Sequence, residues 1–268
     1  MPEPGQTPRV LSIAGSDSGG GAGIQADLKA FAACGVHGMT AITAITAQNT
    51  TAVTGVWPLP AEAIIDQVRA VAEDIGVDAV KIGMLGTTDT IAAVAEALDL
   101  LPNVPAVLDP VMVAESGSRL LDEDAVSALR DVMLPRATVV TPNVPEARIL
   151  AGAREDEGAD ELARRVRALG ADVVVVTGGH RDEAVDTFWD GEQLVEIPGP
   201  RYPDGAAHGS GCTHSSALAA WLARGASPLE AARRAKELAS EAIARGLRDV
   251  GTGAGPVDAL GLVARRVA

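Results

Sequence analysis

The chain has 268 residues, of which 47% are hydrophobic, and this is enough to bury one large core. Only 2% of the residues are aromatic, so that core must consist mainly of Ala, Val, Leu and Ile side chains. The net charge of −14 at pH 7 argues against binding to nucleic acid, because phosphate backbones are held by clustered Lys and Arg side chains.

Cysteine usage and hydropathy narrow the class of protein further. Cys34 and Cys212 lie far apart and form neither a C-x-x-C metal pair nor a disulfide framework. Residues 1–8 are polar and proline-rich, without a signal-peptide pattern, and we expect them to be a flexible N-terminus. No apolar run approaches the roughly 18 residues of a membrane span. These features therefore predict a soluble cytoplasmic protein that binds no membrane or nucleic acid.

Short β-branched runs alternate with Ala- and Leu-rich amphipathic runs along most of the chain. The β-branched runs predict strands at residues 10–14, 40–46, 79–84, 106–108, 138–140 and 172–177. The amphipathic runs predict helices at residues 23–34, 62–73, 88–100, 122–133, 160–169, 212–223 and 228–248. Strands that alternate with helices indicate a mostly parallel sheet covered by helices on both faces.

A hairpin pattern interrupts this alternation before the last two helices. Extended runs at residues 184–189 and 193–197 flank Asp190-Gly191, a dipeptide typical of tight turns. We therefore predict a single α/β domain over residues 1–268, with three α-β-α layers and a small antiparallel hairpin at one sheet edge. In such folds ligands bind beyond the carboxyl ends of the strands, where this chain has polar and glycine-rich segments.

The first of these segments runs from Ala14 to Asp27 and holds five glycines between Gly15 and Gly23. Its G-x-G-x-G spacing departs from the G-x-G-x-x-G of dinucleotide-binding folds, which disfavours a dinucleotide cofactor. We expect instead a loop whose backbone approaches a small ligand, with Asp27 reaching the pocket. Alternatively, Asp27 only stabilises the positive end of its own helix.

The segment T-A-Q-N-T, at the end of the second strand, offers paired amide groups on Gln48 and Asn49. Such donors and acceptors suit a heteroaromatic ring that has a ring nitrogen and an exocyclic amine. The alternative is turn chemistry, which applies more to Asn49 than to Gln48.

Two further strands end at X-Pro steps that carry acidic residues nearby. Asp109 precedes Pro110, and Asn143 and Glu146 follow Pro142. The two carboxylates could hold Mg²⁺ through waters, and Asn143 could bind a phosphate or a metal-bound water. Alone, each carboxylate is more often a helix cap or a solvated acid, but their shared place at strand ends favours a functional role.

The segment H-G-S-G-C-T, from His208 to Thr213, comes just before a helical run. Gly209 and Gly211 would let the backbone approach an anion, and the first amides of a helix attract phosphoryl groups. Cys212 would lie in the same field, which favours its thiolate form. The alternative is a glycine-rich loop beside a small buried cysteine.

These segments occur in one order from about Arg9 to Pro256, together with G-T-G-A-G-P near the end. They read G-S-D-S-G-G-G-A-G-I-Q-A-D-L-K, T-A-Q-N-T, K-I-G-M-L, L-D-P-V-M, T-P-N-V-P-E-A, G-G-H and H-G-S-G-C-T. In this set and order the chain resembles the hydroxymethylpyrimidine/phosphomethylpyrimidine kinases of thiamine biosynthesis, within the ribokinase-like superfamily. The resemblance implies a ribokinase-like fold and stepwise phosphorylation of an aminopyrimidine alcohol by ATP.

The resemblance also implies where the pyrimidine binds. Asp27 and Gln48 match residues that hydrogen-bond the aminopyrimidine, while Met84 and Val111 match apolar residues that pack on its ring. Gly15, in the glycine-rich loop, would border the same pocket.

The phosphate groups of ATP would lie on the other side of the substrate's hydroxyl oxygen, which receives the phosphoryl group. Gly209, Ser210 and Gly211 match an anion hole for the transferred phosphoryl group, and Cys212 stands where sugar kinases of the superfamily carry an aspartate base. The nucleotide would lie near Asn143, Thr177, Gly179 and Gly211, and Mg²⁺ near Asp109 and Glu146.

Two positions depart from the family pattern. Ser210 replaces a usual threonine and keeps the hydroxyl, whereas Thr177 replaces a frequent lysine and removes a cation near the phosphates. The missing positive charge would have to come from Mg²⁺, from backbone amides, or from another cation such as Lys81 or Lys236.

Pyridoxine or pyridoxal kinase activity and a non-catalytic pyrimidine sensor are the alternative functions. The apolar helices could support a homodimer.

Overall fold

The computed structural model describes residues 5–179, 184–202 and 206–265, and its strands in these ranges form one nine-stranded sheet. The strands are β1 (Arg9–Asp17), β2 (His37–Gln48), β3 (Val53–Pro58), β4 (Ala79–Ile82), β5 (Ala106–Leu108), β6 (Val139–Val140), β7 (Val173–Val176), β8 (Asp186–Trp189) and β9 (Leu194–Ile197). Their order across the sheet is β3-β2-β1-β4-β5-β6-β7-β8-β9. From β2 to β7 all neighbours are parallel, and the β8–β9 hairpin adds antiparallel strands beside β7. The predicted fold class and edge hairpin are confirmed.

The helices cover both faces of the sheet. They are α1 (Gly23–Ala33), α2 (Ala61–Asp74), α3 (Thr88–Leu98), α4 (Ala125–Ala128), α5 (Val144–Ala151), α6 (Ala159–Arg167), α7 (Ser210–Ala223), α8 (Pro228–Ala244) and α9 (Leu262–Arg265). Helices α2, α3, α5 and α6 bury apolar side chains against one face, and α1, α7 and α8 against the other. Adjacent strand residues such as Val107 and Leu108 enter opposite cores, because successive side chains in a strand alternate.

The second core shows how the chain packs with only 2% aromatic residues, of which Phe31 and Phe188 lie in this core. Helices α7 and α8 pack mainly through alanines, including Ala217, Ala220, Ala231 and Ala235, all fully buried. Small side chains let the helix backbones approach closely, so large rings are not needed to fill the space. Across the described ranges, no helix combines the length and the hydropathy that a membrane crossing requires.

Several predicted elements differ from the structure in bounds or number. The helix predicted at 122–133 is α4 followed by a π-helical turn (Leu129–Met133) and a 3₁₀ turn (Leu134–Arg136). Pro135 lies in that last turn and cannot donate the backbone hydrogen bond of a regular helix. The last long helix, predicted to residue 248, ends at Ala244.

Three elements are absent from the sequence-based prediction: β3, α5 and the short α9. Strand β3 pairs antiparallel with β2 at the sheet edge, but Gly55 and Pro58 obscure its strand pattern. Helix α5 begins at a capping box in which Asn143 and Glu146 hydrogen-bond each other's backbone amides, and it ends at the left-handed Gly152. The N-x-x-E spacing carried this helix signal, and a helix cap was the alternative interpretation of the carboxylate, but no helix was predicted there.

A fully buried ion pair joins two helices of one layer to the sheet. Lys81 Nζ on β4 lies 2.9 and 3.1 Å from the two carboxylate oxygens of Asp27 on α1. The same carboxylate accepts hydrogen bonds from Ser12 on β1, at 2.6 Å, and from Ser216 on α7, at 2.7 Å. Burial alone would lower the pKa of Lys81, but the charges of Asp27, Cys212 and Asp109 hold it above its ordinary value. The ammonium group therefore stays charged.

We expect the single substitution Lys81→Met to destabilise the fold by about 3–5 kcal/mol, because it leaves a buried carboxylate without its countercharge. The double variant Lys81→Met/Asp27→Asn removes both charges, keeps an acceptor for Ser12 and Ser216, and should lose much less. Urea denaturation at pH 7 measures both changes. Equal losses in the single and double variants would show that the ion pair does not control stability.

Candidate active site

One cavity lies at the carboxyl ends of the parallel strands, below the first turn of α7 and beside α8. Residues that follow β1, β2, β4, β5, β6 and β7 all contribute to its wall, as expected for an open α/β sheet. The sequence-predicted residues that line it are Gly15, Gln48, Met84, Asp109, Val111, Asn143, Glu146, Thr177, Gly179, Gly209, Ser210, Gly211 and Cys212. The structure thus brings together segments separated by almost 200 residues.

The first turn of α7 forms the electropositive part of the cavity. Gly209 caps the helix in the left-handed conformation, with φ of +81°, and α7 begins at Ser210. The turn contains no acidic residue, and first-turn amides have no intrahelical acceptor. Helix dipole and amides together make this end suitable for an anion. Gly211 faces Asp109, since a Cβ atom at residue 211 would lie 4.0 Å from the Asp109 Oδ2 atom.

The thiol of Cys212 borders the cavity but does not ionise as we expected. Burial raises its pKa to about 12; Lys81 and the backbone N–H of Gly23 oppose this rise, and Asp109 and Asp27 add to it. The prediction of a thiolate at the helix end is therefore wrong. Loss of solvation and two nearby carboxylates outweigh the helix dipole.

The two predicted metal ligands are buried carboxylates at the same end of the sheet. Asp109 follows β5 and accepts a hydrogen bond from Ser215 at 3.0 Å. Burial raises the pKa of Asp109, although Lys81 and Ser215 oppose the shift. Burial and the charge of Asp109 raise the pKa of Glu146 to about 8. Each carboxylate thus disfavours ionisation of the other, and a cation between them would relieve this repulsion.

The donor chemistry of this pair fits Mg²⁺. Within the described ranges, no group of three or more His, Cys, Asp and Glu side chains is arranged to hold a metal ion. Asp109 and Glu146 would therefore supply two oxygens, with waters and phosphate oxygens completing the shell, which is the usual mode of Mg²⁺ binding. The capping interpretation of Asn143 and Glu146 also holds, because Glu146 Oε2 accepts the Asn143 amide at 3.0 Å.

The opposite end of the cavity is suited to a flat ring. Met84 and Val111 provide apolar walls, and Gly15 is required there, because a Cβ atom at residue 15 would lie 2.7 Å from the Met84 methyl carbon. Thr46 donates a hydrogen bond to Gln48 Oε1 at 3.1 Å and so orients the amide. Leu120 also lines the cavity, but sequence analysis did not identify it.

Asp27 does not belong to this pocket. Its side chain is fully buried, its two oxygens are occupied by Lys81, Ser12 and Ser216, and it is not among the cavity-lining residues. The prediction that Asp27 contacts the ligand is therefore wrong. Asn49 forms a turn, with its Oδ1 atom accepting from Thr51 and Ala52, as the alternative interpretation proposed.

Thr177 and Gly179 lie at the far end, where α8 forms the wall. The amide of Gly178 and the ammonium of Lys236 both donate to Asp186 Oδ1, at 2.9 and 2.7 Å. Lys236 is therefore the cation beside this loop, whereas Lys81 lies buried near Cys212. His180 of the G-G-H motif lies outside the described residues.

The α8 wall was not found from the sequence. Besides Lys236, it consists of Ala239, Ser240 and Ile243, which share one helical face by their spacing. That spacing alone does not distinguish a cavity wall from an ordinary core-facing stripe. Asp186 and His214 were also missed, since only the fold brings them together, with His214 Nε2 3.3 Å from Asp186 Oδ2.

The chain is similar to small-molecule kinases in both sequence and structure. The profile of the family described as phosphomethylpyrimidine kinase matches residues 17–258. The hydroxymethylpyrimidine/phosphomethylpyrimidine kinase of Rhizobium meliloti strain 1021 is 50% identical over 254 residues, which are 92% of this chain and 95% of that protein.

Solved structures show the same likeness. Bacillus subtilis pyridoxal kinase in its ADP complex has a TM-score of 0.88 and 39% identity, over 96% of this chain and 99% of its own. The phosphomethylpyrimidine kinase of Clostridium difficile 630 has a TM-score of 0.78 and 40% identity, over 88% of this chain and 99% of its own.

We expect the raised pKa of Cys212 to be visible in its alkylation. In a Cys34→Ala background, the iodoacetamide rate should rise about tenfold per pH unit up to pH 10, without a plateau, because only the thiolate reacts. The Cys34→Ala/Cys212→Ala variant gives the background rate. A plateau beginning near pH 9 would show that the thiol ionises as an ordinary cysteine does, with a pKa of about 8.5.

Proposed function

The chain belongs to the phosphomethylpyrimidine kinase family, and on that premise we propose a role for each residue around its cavity. The enzyme uses ATP to phosphorylate hydroxymethylpyrimidine to its monophosphate and then to its diphosphate, for thiamine diphosphate biosynthesis. The observation that carries the assignment of roles is the place of Cys212. It stands at the helix end that attracts anions, between a ring-sized apolar pocket and two buried carboxylates.

The pyrimidine ring binds between Met84 and Val111, with its polar edge toward the amide of Gln48. The apolar walls favour a flat ring, and the oriented amide can pair with a ring nitrogen and an exocyclic amine. Gly15 borders the same pocket, where an added Cβ atom would lie 2.7 Å from the Met84 methyl carbon.

The nucleotide occupies the remaining part of the cavity. Its transferring phosphoryl group lies at the amides of Gly209, Ser210 and Gly211, where the helix end stabilises charge in the manner of an oxyanion hole. The other phosphates extend past Asn143 toward Thr177 and Gly179. Lys236 supplies positive charge at that end in place of the lysine that Thr177 lacks, and α8 borders the nucleoside.

Asp109 and Glu146 would hold Mg²⁺ in this cavity. A bound ion would supply positive charge against the phosphates in a chain whose net charge is −14. Ser215 supports the site by holding Asp109, and the capping box fixes the position of Glu146.

The reaction is an in-line displacement at phosphorus. The hydroxymethyl oxygen forms a new bond to the γ-phosphorus atom while the bond to the ADP oxygen breaks. Phosphoryl transfer of this kind depends mainly on positioning and charge stabilisation. The hydroxyl proton passes to an oxygen of the transferring phosphoryl group. The Cys212 thiol, whose pKa burial raises, keeps its own proton and only orients the substrate hydroxyl. In the second step, the nucleophile is a phosphate oxygen that is already ionised.

We expect Cys212→Ala to slow the first phosphorylation at least tenfold more than the second, since only the first uses the alcohol. Cys212→Ser keeps a hydrogen-bonding group with an even higher pKa and should retain most of the first-step rate. Single-turnover assays on the alcohol and on its monophosphate measure the two steps separately. Loss of activity in the serine variant equal to that in the alanine variant would instead indicate a general base.

A direct comparison of alcohols tests the proposed ring pocket. Pyridoxal kinases have structures similar to this chain, so pyridoxal is the competing substrate to exclude. We expect kcat/KM for hydroxymethylpyrimidine to exceed that for pyridoxal by at least tenfold in the wild-type enzyme. A higher value for pyridoxal would contradict the assignment, and pyrimidine binding without ATP turnover would indicate a sensor.

We also propose that the chain forms a homodimer through the apolar face at the β2–β3 edge. Ile45 and Trp57 lie opposite each other across these strands and are 47% and 58% exposed. Exposed apolar pairs of this kind favour burial against another surface. Light scattering should give twice the 27.2 kDa chain mass, and a mass of one chain would contradict the dimer.

A further inference from the structure

The glycine-rich loop after β1 is organised by a carboxylate that has no role in the chemistry derived above. Asp17 Oδ1 accepts the amide of Gly19 at 2.7 Å, and its Oδ2 accepts the amides of Gly21 and Ala22 at 3.0 and 2.8 Å. The side chain is buried, so these three hydrogen bonds replace its lost hydration. The loop is thus wrapped around one carboxylate.

A single side chain from the other end of the chain reaches the same carboxylate. His208 Nε2 lies 3.4 Å from Asp17 Oδ2, and the imidazole is buried. The ring packs directly on Gly21, where an added Cβ atom would lie 2.1 Å from His208 Cδ2. His208 and the amides of Ala22 and Gly19 hold the pKa of Asp17 below its ordinary value, although burial opposes them.

The backbone of His208 is itself fixed from both sides. Its amide donates to Gly255 at 3.3 Å, and its carbonyl accepts from Val257 at 3.1 Å. This bridge gives the terminal G-T-G-A-G-P segment a structural purpose: it holds the histidine in place. His208 therefore connects a rigid support to the glycine-rich loop.

The next residue transmits this contact to the anion-binding turn. A Cβ atom at Gly209 would lie only 1.8 Å from the carbonyl oxygen of Gly21, so the two loops touch backbone to backbone. Two residues beyond Gly21, the backbone N–H of Gly23 faces the Cys212 thiol and lowers its pKa. Any shift of the glycine-rich loop would therefore move this N–H relative to the thiol and open the contact between Gly209 and Gly21.

We propose that Asp17 and His208 form a positioning pair that holds the glycine-rich loop against the first turn of α7. Neither residue acts on the reacting atoms. The pair keeps Gly23, Cys212 and the anion-hole amides in register, so that the hydroxyl and the phosphoryl group meet in line. The effect of this pair on the reaction rate rests on the proposed kinase function. The contact between the glycine-rich loop and the α7 turn is independent of that function.

The test compares His208→Ala with His208→Gln, whose amide nitrogen can reach Asp17, and with His37→Ala as a control at an exposed histidine of β2. We expect His208→Ala to lower kcat for hydroxymethylpyrimidine at least tenfold while both KM values change less than threefold. His208→Gln should recover most of the loss, and His37→Ala should match the wild type. A merely structural role would lower thermal stability and leave kcat per folded molecule unchanged.

Amide hydrogen exchange provides a second measurement that does not depend on turnover. The amides of Gly19, Gly21 and Ala22 should exchange at least tenfold faster in His208→Ala and near the wild-type rate in His208→Gln. Exchange and kcat both within twofold of the wild type in His208→Ala would overturn the proposal. If the wild type does not phosphorylate the pyrimidine but amide exchange in the His208 variants changes as expected, the kinase function is contradicted and the contact between Asp17 and His208 is supported.

Discussion

The buried ion pair between Asp27 and Lys81 is the constraint on which the site depends. It ties α1 and α7 to β1 and β4 through four fully buried side chains. Helix α1 follows the glycine-rich loop, and α7 begins at the anion-binding turn, so one interaction sets both helices that border the reaction centre. Burying two charges is costly, and the serine hydroxyls that complete the carboxylate's hydrogen bonds offset part of that cost.

Electrostatics explain how an acidic protein can hold highly anionic ligands. The chain's charge of −14 repels phosphates at long range, and attraction must come from local groups. In the proposed arrangement the first turn of α7 provides it directly, whereas the charge of Lys236 is already paired with Asp186 and the Asp109–Glu146 pair attracts phosphate only when a cation joins it. Burial, Asp109 and Asp27 raise the pKa of Cys212, so the arrangement favours charge stabilisation at phosphorus over proton removal by the thiol.

Much of the fold was predictable because parallel strands carry continuous β-branched runs and their helices carry clear amphipathic patterns. The failures have physical causes. Asp27 was assigned to the pocket because its partner Lys81 lies 54 residues away in sequence and could not be seen. The thiolate of Cys212 follows from the local helix end, but desolvation and the two carboxylates come from the tertiary structure. Helix α5 was missed because a capping box and a ligand motif share the same residue types.

The central claim is that one cavity holds the pyrimidine alcohol and the nucleotide on opposite sides of the α7 turn. A crystal structure with hydroxymethylpyrimidine and a non-hydrolysable ATP analogue measures this most directly. We expect the γ-phosphate at the amides of Gly209–Gly211, the ring between Met84 and Val111, and the hydroxymethyl oxygen within hydrogen-bond reach of Cys212. A γ-phosphate bound away from this turn, or a ring bound outside the Met84–Val111 pocket, would contradict the account.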